Sequence, residues 1–169
     1  LISPLRARFE QEIADGRLTL IEGDIRMLDF ASLPFGYQVV ANIPYYITGE
    51  IIRTLLGTTS KPTSITLLVQ KEVAERIARS TKESLLSLSV KVYGLPSYVF
   101  TVPRGAFRPA PGVDSAVLRI SNIVAPFSSP YEEGRFFEVL HAGFAHKRKR
   151  LAKNLEAVVS ARAIAQAFT

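Results

Sequence analysis

The segment from residue 37 to residue 48 constrains this chain most, because its character changes abruptly at the middle. Its first half, Tyr37-Gln38-Val39-Val40-Ala41, is a short apolar run with the length of a buried strand. Its second half, Asn42-Ile43-Pro44-Tyr45-Tyr46-Ile47-Thr48, places an amide, a proline and two aromatic rings where that strand ends. The amide and the carbonyl beside the proline can accept hydrogen bonds, since proline has no N–H, and a tyrosine offers a stacking face. This combination suits a flat base that carries an amino group. The alternative is an ordinary strand-to-helix loop with a turn proline.

Hydrophobic spacing along the rest of the chain predicts strands that alternate with helices. The predicted helices are residues 5–14, 49–56, 71–79 and 84–93, and the predicted strands are residues 18–21, 37–41, 64–69, 97–102 and 113–120. This order predicts an α/β sheet that is mainly parallel and ends in an antiparallel hairpin. We expect a catalytic-type domain over residues 1–121, a linker rich in proline and serine over 122–131, and a small helical domain over 132–169.

The composition argues against several kinds of site. The chain has no cysteine and only two histidines, His141 and His146, which lie five residues apart without an acidic residue between them. We therefore expect no metal site and no disulfide, and no serine stands in a nucleophile motif. No apolar run is long enough to span a membrane. The 21 Lys and Arg outnumber the 15 Asp and Glu, for a formal net charge of +6. That surplus favours a polyanionic partner such as nucleic acid, although a basic protein without such a partner has the same charge.

Two further loops carry residues suited to a nucleoside. Asp24 and Ile25 follow the predicted strand 18–21; the carboxylate can accept from an adenine amino group or a ribose hydroxyl, and the isoleucine can pack on the ring. A plain turn is the alternative there. Residues 107–117 hold two prolines that stiffen a loop presenting Phe107, whose ring can either stack on a base or plug the core. We expect Asp114 in this loop to accept hydrogen bonds from loop amides.

A basic run lies in the predicted helical domain. Residues 141–154 contain five Lys or Arg and no acidic residue, and four of the five are consecutive: Lys147, Arg148, Lys149 and Arg150. On a helix these four side chains would fan around most of the circumference. Such a cluster predicts salt-dependent binding to phosphates, with a solvated helix face as the alternative.

Five segments of the chain resemble, in the family's order, the ribosomal RNA adenine N6-dimethyltransferases, a branch of the Rossmann-like S-adenosylmethionine-dependent methyltransferases. They are NIPYYIT at 42–48, VQKEVAERI at 69–77, LLSLSVKVYG at 85–94, FRPAPGVDSAV at 107–117 and GFAHKRKRLAKNL at 143–155. They extend from residue 42 to residue 155, over most of the length of the chain. The resemblance implies a Rossmann-like methyltransferase sheet followed by a small helical domain.

The resemblance also implies roles for individual residues. Asn42, Pro44 and Tyr45 would hold the target adenine, and Phe107 would stack on its other face. Asp24, Ile25 and Asn42 would contact the cofactor S-adenosyl-L-methionine, and Lys147, Arg148, Lys149, Arg150 and Lys153 would bind RNA. The implied activity is dimethylation of adenine N6 in small-subunit ribosomal RNA during ribosome maturation. The implied partner is the small ribosomal subunit or its precursor. The resemblance also implies a cytoplasmic monomer that binds neither a membrane nor a metal.

One departure from the family pattern is large. The family's first strand, its glycine-rich turn, the following helix and a second strand ending in an acidic residue have no counterpart here, and no Gly-x-Gly occurs. We therefore expect the chain to start partway through a domain, with a gapped sheet that has unpaired edges. We also expect the isolated chain to bind the cofactor poorly and to be inactive alone.

Three other functions stay open at this point. The chain could be an inactive RNA-binding factor in ribosome assembly, as the absent glycine turn suggests. It could be an erythromycin-resistance-type methyltransferase of large-subunit ribosomal RNA, since those relatives share Asn-Ile-Pro-Tyr, although Val113-Asp114-Ser115 looks more like the housekeeping enzymes. A DNA adenine methyltransferase is the weakest option, because those enzymes often carry Asp-Pro-Pro-Tyr at this position.

Overall fold

The computed structural model describes residues 2–146 and 148–168. The helices are α1 (Ile2–Arg8), α2 (Glu10–Ala14), α3 (Thr48–Gly57), α4 (Lys71–Ala78), α5 (Leu85–Lys91), α6 (Pro130–Phe144), α7 (Leu151–Leu155) and α8 (Ala161–Ala167). The strands are β1 (Gln38–Asn42), β2 (Ser64–Gln70), β3 (Leu95–Val102) and β4 (Ser115–Ser121). Short 3-10 turns occur at Ile25–Met27, Phe30–Ser32, Tyr45–Ile47 and Arg104–Ala106.

The four described strands form one sheet in the order β1-β2-β4-β3. β1 and β2 are parallel, with Asn42 opposite Leu68, whereas β4 lies antiparallel to both β2 and β3. The prediction of a mainly parallel sheet is therefore wrong for the described residues, while the antiparallel end is confirmed. The reason is topological, because β4 returns between β2 and β3 and so runs opposite to both neighbours.

Two local predictions also differ from the structure. Residues 18–21 form no strand, because strand propensity needs a neighbouring strand to pair with and the described sheet offers none to this segment. The predicted helix 5–14 is divided at Phe9, whose backbone leaves the helical region. β1 is an edge strand of the described sheet, since only β2 pairs with it, and its Val40 side chain is 82% exposed.

The core lies between the sheet and the helices that follow β1 and β2. Alternate residues of β2 point into it, so that Ile65, Leu67 and Val69 are fully buried opposite equally buried residues of β4. Helix α3 contributes one apolar stripe (Ile51, Ile52, Leu55, Leu56), as its spacing predicts. Burying side chains of this size stabilises the fold by about 1.5–3 kcal/mol each. This burial holds the strands, and therefore their carboxyl ends, in place.

An aromatic cluster holds α6 against this layer. The Tyr93 ring stacks on Phe137 at 6.2 Å and meets Phe127 edge-on at 5.9 Å, and the Tyr93 hydroxyl donates to the Glu133 carboxylate. Burial, together with that bond, raises the pKa of Tyr93. Since Phe127 lies inside the predicted linker 122–131, that segment is packed against the core, and α6 begins at Pro130.

Candidate functional site

Asn42 lies at the carboxyl end of β1 and its side chain is exposed. β2 runs parallel beside it and ends at Gln70, so both strands deliver their ends to the same edge of the sheet. In open α/β sheets this edge is where ligands bind. The amide therefore faces solvent at the position where the sequence predicted a site.

Pro44 starts the 3-10 turn that follows the strand. Its φ of −57° suits that position, and its carbonyl accepts from the Ile47 N–H at 3.2 Å. Ile43 and Ile47, which lie just before this turn and at its end, are both buried in the hydrophobic core and so hold the turn against it. Because a carbonyl oxygen has two lone pairs, the Pro44 carbonyl keeps one acceptor position beyond the turn.

Tyr45 is tied to a strand that lies 70 residues away in the sequence. Its hydroxyl is 2.5 Å from the Ser115 hydroxyl, and Ser115 is the fully buried first residue of β4, in register with Gln70 of β2. The half-buried Tyr45 ring is therefore attached to the sheet through its hydroxyl group. Sequence reasoning missed this role for Ser115, since no local pattern links two positions so far apart.

Asp114, next to that serine, joins two segments at the same edge. One carboxylate oxygen accepts from the Arg104 N–H at 2.9 Å, and its backbone carbonyl accepts from the Lys71 N–H at 3.0 Å. The prediction that Asp114 binds loop amides is confirmed. These bonds attach the loop that carries Phe107 to the start of α4. Phe107 itself is half-buried and ends the turn Arg104–Ala106, and its partnership with Tyr45 across a base stays a prediction.

The Asp24 carboxylate is engaged by its own turn. It caps Ile25–Met27 by accepting from the Arg26 N–H at 2.9 Å and also pairs with the Arg26 guanidinium at 2.5 Å. These hydrogen bonds hold the pKa of Asp24 at about 2. The hydrogen bond to Asp24, and to a smaller extent the charges of Asp24, Glu50 and Tyr46, raises the pKa of Arg26. That Asp24 and Ile25 share a site with Asn42 stays a prediction.

A cleft of about 620 Å³ opens next to these residues. It lies between the end of β2, the start of α4 and the loop before β4, and it is lined by Gln70, Lys71, Glu72, Glu75, Arg104, Gly112, Val113 and Asp114. None of the predicted adenine-binding residues lines it. The cleft borders the strand-end site without being identical to it.

The described residues of the consecutive basic cluster lie in a turn rather than on a helix. α6 ends at Phe144 and α7 begins at Leu151, so Arg148, Lys149 and Arg150 occupy the connection, and all three are exposed. None of these three side chains forms an ion pair with the rest of the described chain. Lys153, by contrast, pairs with Glu156 at 2.6 Å, and Lys147 lies outside the described residues.

Two classes of site are absent from the residues that the structure describes. They contain no group of three or more His, Cys, Asp or Glu placed to hold a metal ion. They also contain no helix long and apolar enough to cross a membrane.

The architecture is similar to that of solved ribosomal RNA methyltransferases. The 23S rRNA methyltransferase ErmE matches with a TM-score of 0.74 at 21% identity, over 96% of this chain and 66% of its own. A dimethyladenosine transferase from Plasmodium falciparum matches with a TM-score of 0.72 at 28% identity, over 87% of this chain and 54% of its own. The class of fold is thus the Rossmann-like methyltransferase fold.

Sequence comparison gives the family within that class. The family model for ribosomal RNA adenine dimethylases matches residues 1–169. The "Ribosomal RNA small subunit methyltransferase A" of Lactococcus lactis is 40% identical over 151 residues, which cover 82% of this chain and 51% of the relative. The chain belongs to the ribosomal RNA adenine dimethylase family. It spans about half the length of the curated relatives it matches.

Proposed function

We propose that the chain forms the adenine-binding and RNA-binding part of an S-adenosylmethionine-dependent enzyme that dimethylates adenine N6 in small-subunit ribosomal RNA. The observation that carries the proposal is the exposed Asn42 amide at the carboxyl end of β1, followed by the Pro44 turn and by a Tyr45 ring anchored to β4. Family membership and the printed names of the relatives support the choice of substrate.

Asn42 and the proline turn would act on the exocyclic nitrogen of the adenine. That nitrogen is a poor nucleophile, because its lone pair is delocalised into the purine ring. The Asn42 side-chain oxygen and the spare acceptor position of the Pro44 carbonyl can each accept a hydrogen bond from one N–H of this amino group. These two bonds favour a tetrahedral nitrogen with an available lone pair. No general base is required, since the proton can leave to solvent after transfer. Holding the nitrogen in line for attack supplies much of the rate.

Tyr45 and Phe107 would offset the cost of extruding the base. Taking an adenine out of its stack costs a few kcal/mol, and stacking on an aromatic side chain returns about 1–3 kcal/mol per contact. The bond between the Tyr45 and Ser115 hydroxyls reduces the ordering that the Tyr45 ring must undergo on binding. Phe107 would cover the opposite face from the loop that Asp114 holds in place.

The chain offers a partial fit to the cofactor. S-adenosyl-L-methionine, when bound, supplies a methyl group activated on a sulfonium. The exposed Ile25 side chain and the Asp24 carboxylate suit an adenine ring with an amino group. The carboxylate would have to share its acceptor positions with Arg26. The described residues supply no glycine-rich turn for the methionine end.

The helical part would bind the RNA backbone. We propose that residues 1–121 belong to the catalytic domain, that 122–131 connect it to the rest, and that 132–169 belong to an RNA-binding helical domain. The exposed Arg148, Lys149 and Arg150 supply positive charge that no ion pair within the described chain neutralises. The partner would be a precursor of the small ribosomal subunit, and we propose that a monomer acts on it in the cytoplasm.

A chimera tests this proposal, with residues 1–169 replacing the matching segment of the Lactococcus lactis relative. We expect it to transfer labelled methyl groups from S-adenosylmethionine to adenines of unmodified small-subunit particles. Transfer to large-subunit RNA instead would support the erythromycin-resistance-type alternative. RNA binding without transfer, in a chimera that melts cooperatively, would support the assembly-factor alternative.

A further inference from the structure

The turn between α6 and α7 is held by one buried amide. Asn154 lies on α7 and is only 7% exposed. Its Nδ2 group donates to the Gly143 carbonyl at 2.9 Å and to the His146 carbonyl at 3.1 Å. The two acceptors belong to the end of α6 and to the residue two positions before Arg148. Asn154 thus connects α7 to both the helix before the turn and the turn itself.

Two further contacts lie at this junction. The His146 carbonyl also accepts from the Lys149 N–H at 3.0 Å, which closes the turn on itself. α6 and α7 pack closely at Gly143, where an added Cβ would lie 3.2 Å from a Leu151 methyl group. The backbone that carries Arg148 and Lys149 is therefore fixed at both ends, although the two side chains are exposed.

The chemistry at position 154 calls for a double donor. Both carbonyls face the amide nitrogen, so a carboxylate or a reversed amide would place oxygen against oxygen. The Asn154 Oδ1 is buried and has no hydrogen-bond partner among the described residues. Burying an unpaired acceptor costs free energy, and the two donated bonds offset that cost.

We propose that Asn154 is a positioning residue for RNA binding. It fixes the turn so that Arg148 and Lys149 are presented together to neighbouring phosphates of an RNA backbone. The inference depends on the proposed RNA-binding role of the basic turn. A preformed turn binds more tightly than a mobile one carrying the same charges, because less ordering is required on binding.

The test uses the whole 169-residue chain and a fluorescein-labelled 30-nucleotide RNA hairpin, with anisotropy titrations at several KCl concentrations. We expect Asn154→Ala, which leaves the net charge unchanged, to weaken binding about five- to tenfold at 0.1 M salt. It should also flatten the dependence of log K on log salt, which measures the number of phosphate contacts at roughly 0.7–0.9 per contact. Replacing both Arg148 and Lys149 by alanine should weaken binding by at least as much.

The decisive readout is the coupling between these changes. If Asn154 acts through the turn, the Arg148 and Lys149 substitutions cost much less in the Asn154→Ala background than in the wild-type chain. Val139→Ala, a half-buried change elsewhere on α6, serves as a control that lowers the melting temperature without coupling to the basic pair.

Each other outcome overturns a defined part of the argument. If Asn154→Ala binds RNA with wild-type affinity, the proposed role of Asn154 is overturned. The same holds if the Asn154 and the Arg148 and Lys149 substitutions lower the affinity by independent, multiplicative factors. In both cases the basic turn remains the RNA contact. Unchanged affinity after removal of both Arg148 and Lys149 overturns the proposed RNA-binding role itself. Circular dichroism at the titration temperature shows whether each variant is folded, and an unfolded Asn154→Ala makes Asn154 a folding residue and overturns the inference.

Discussion

The bond between the Tyr45 and Ser115 hydroxyls can be broken from either side. Ser115 is fully buried, so Tyr45→Phe leaves its hydroxyl without a partner and costs about 1–3 kcal/mol of unfolding free energy. Ser115→Ala leaves the tyrosine hydroxyl unpaired instead. That group is half-buried and reaches water more easily, so we expect the lower end of the same range, about 1 kcal/mol.

The double variant, Tyr45→Phe with Ser115→Ala, shows whether the two hydroxyls form a stabilising hydrogen bond or are only close to each other. With both hydroxyls gone, no buried polar group is left unpaired, and the cost should fall short of the sum of the single changes by about 1 kcal/mol or more. Urea unfolding of the 169-residue chain, followed by circular dichroism, gives the three free energies. An unchanged m-value shows that the unfolding transition is the same in each variant.

A matched pair in the same chain provides the control. Tyr98 and Thr101 also hold their hydroxyls at 2.5 Å, but Thr101 is exposed whereas Ser115 is fully buried. Removing these two hydroxyls singly and together should show coupling below about 0.5 kcal/mol, because water replaces the lost partner. Additive effects at Tyr45 and Ser115, equal to those of the control pair, would refute the anchoring of the ring.

Three further predictions concern stability and ionisation. Leu67→Ala, at the buried centre of β2, should lower the unfolding free energy by about 2–5 kcal/mol in urea titrations. Gly94→Ala should destabilise the chain, since its Cβ would lie 2.8 Å from a backbone oxygen of β4, whereas Gly134→Ala has open space on α6 and should stabilise it by up to about 1 kcal/mol in the same assay. Carbon-13 NMR should find a pKa of about 2 for Asp24, which is below its value in the unfolded chain. Any stabilisation from the pairing of Asp24 with Arg26 is therefore present above the unfolded pKa and is lost as the pH falls through about 2. Arg26→Ala should raise the pKa of Asp24 again.

Local pattern was enough where local forces decide the structure. The apolar stripe of α3 and the apolar residues of β2 predicted elements whose ends differ from the observed ones by a single residue. The exposed amide at the end of β1 also lies where the sequence placed it. In these cases burial of one face decides the conformation, and the sequence shows that face directly.

The remaining features depend on distant partners or on competing short-range bonds. Residues 18–21 have strand character but no neighbour in the described sheet, and the contact of Tyr45 with Ser115 spans 70 positions. The position of Asp24 after an apolar run suits an acceptor for a nucleoside, but Arg26, two residues further on, pairs with its carboxylate. Arg148, Lys149 and Arg150 lie between two helices rather than on one, and Asn154, which donates to the Gly143 and His146 carbonyls, links those helices across several positions.

The central claim is that the loop after β1 holds an adenine by its exocyclic nitrogen. The most direct test compares Asn42→Ala with the unchanged chimera described above, with methyl transfer and RNA affinity measured on the same preparations. Loss of one preorganised polar contact to the reacting group should lower transfer by about 10²–10³-fold, with the RNA dissociation constant changed less than about threefold. Undiminished transfer, or a parallel loss of transfer and RNA binding, would contradict the account.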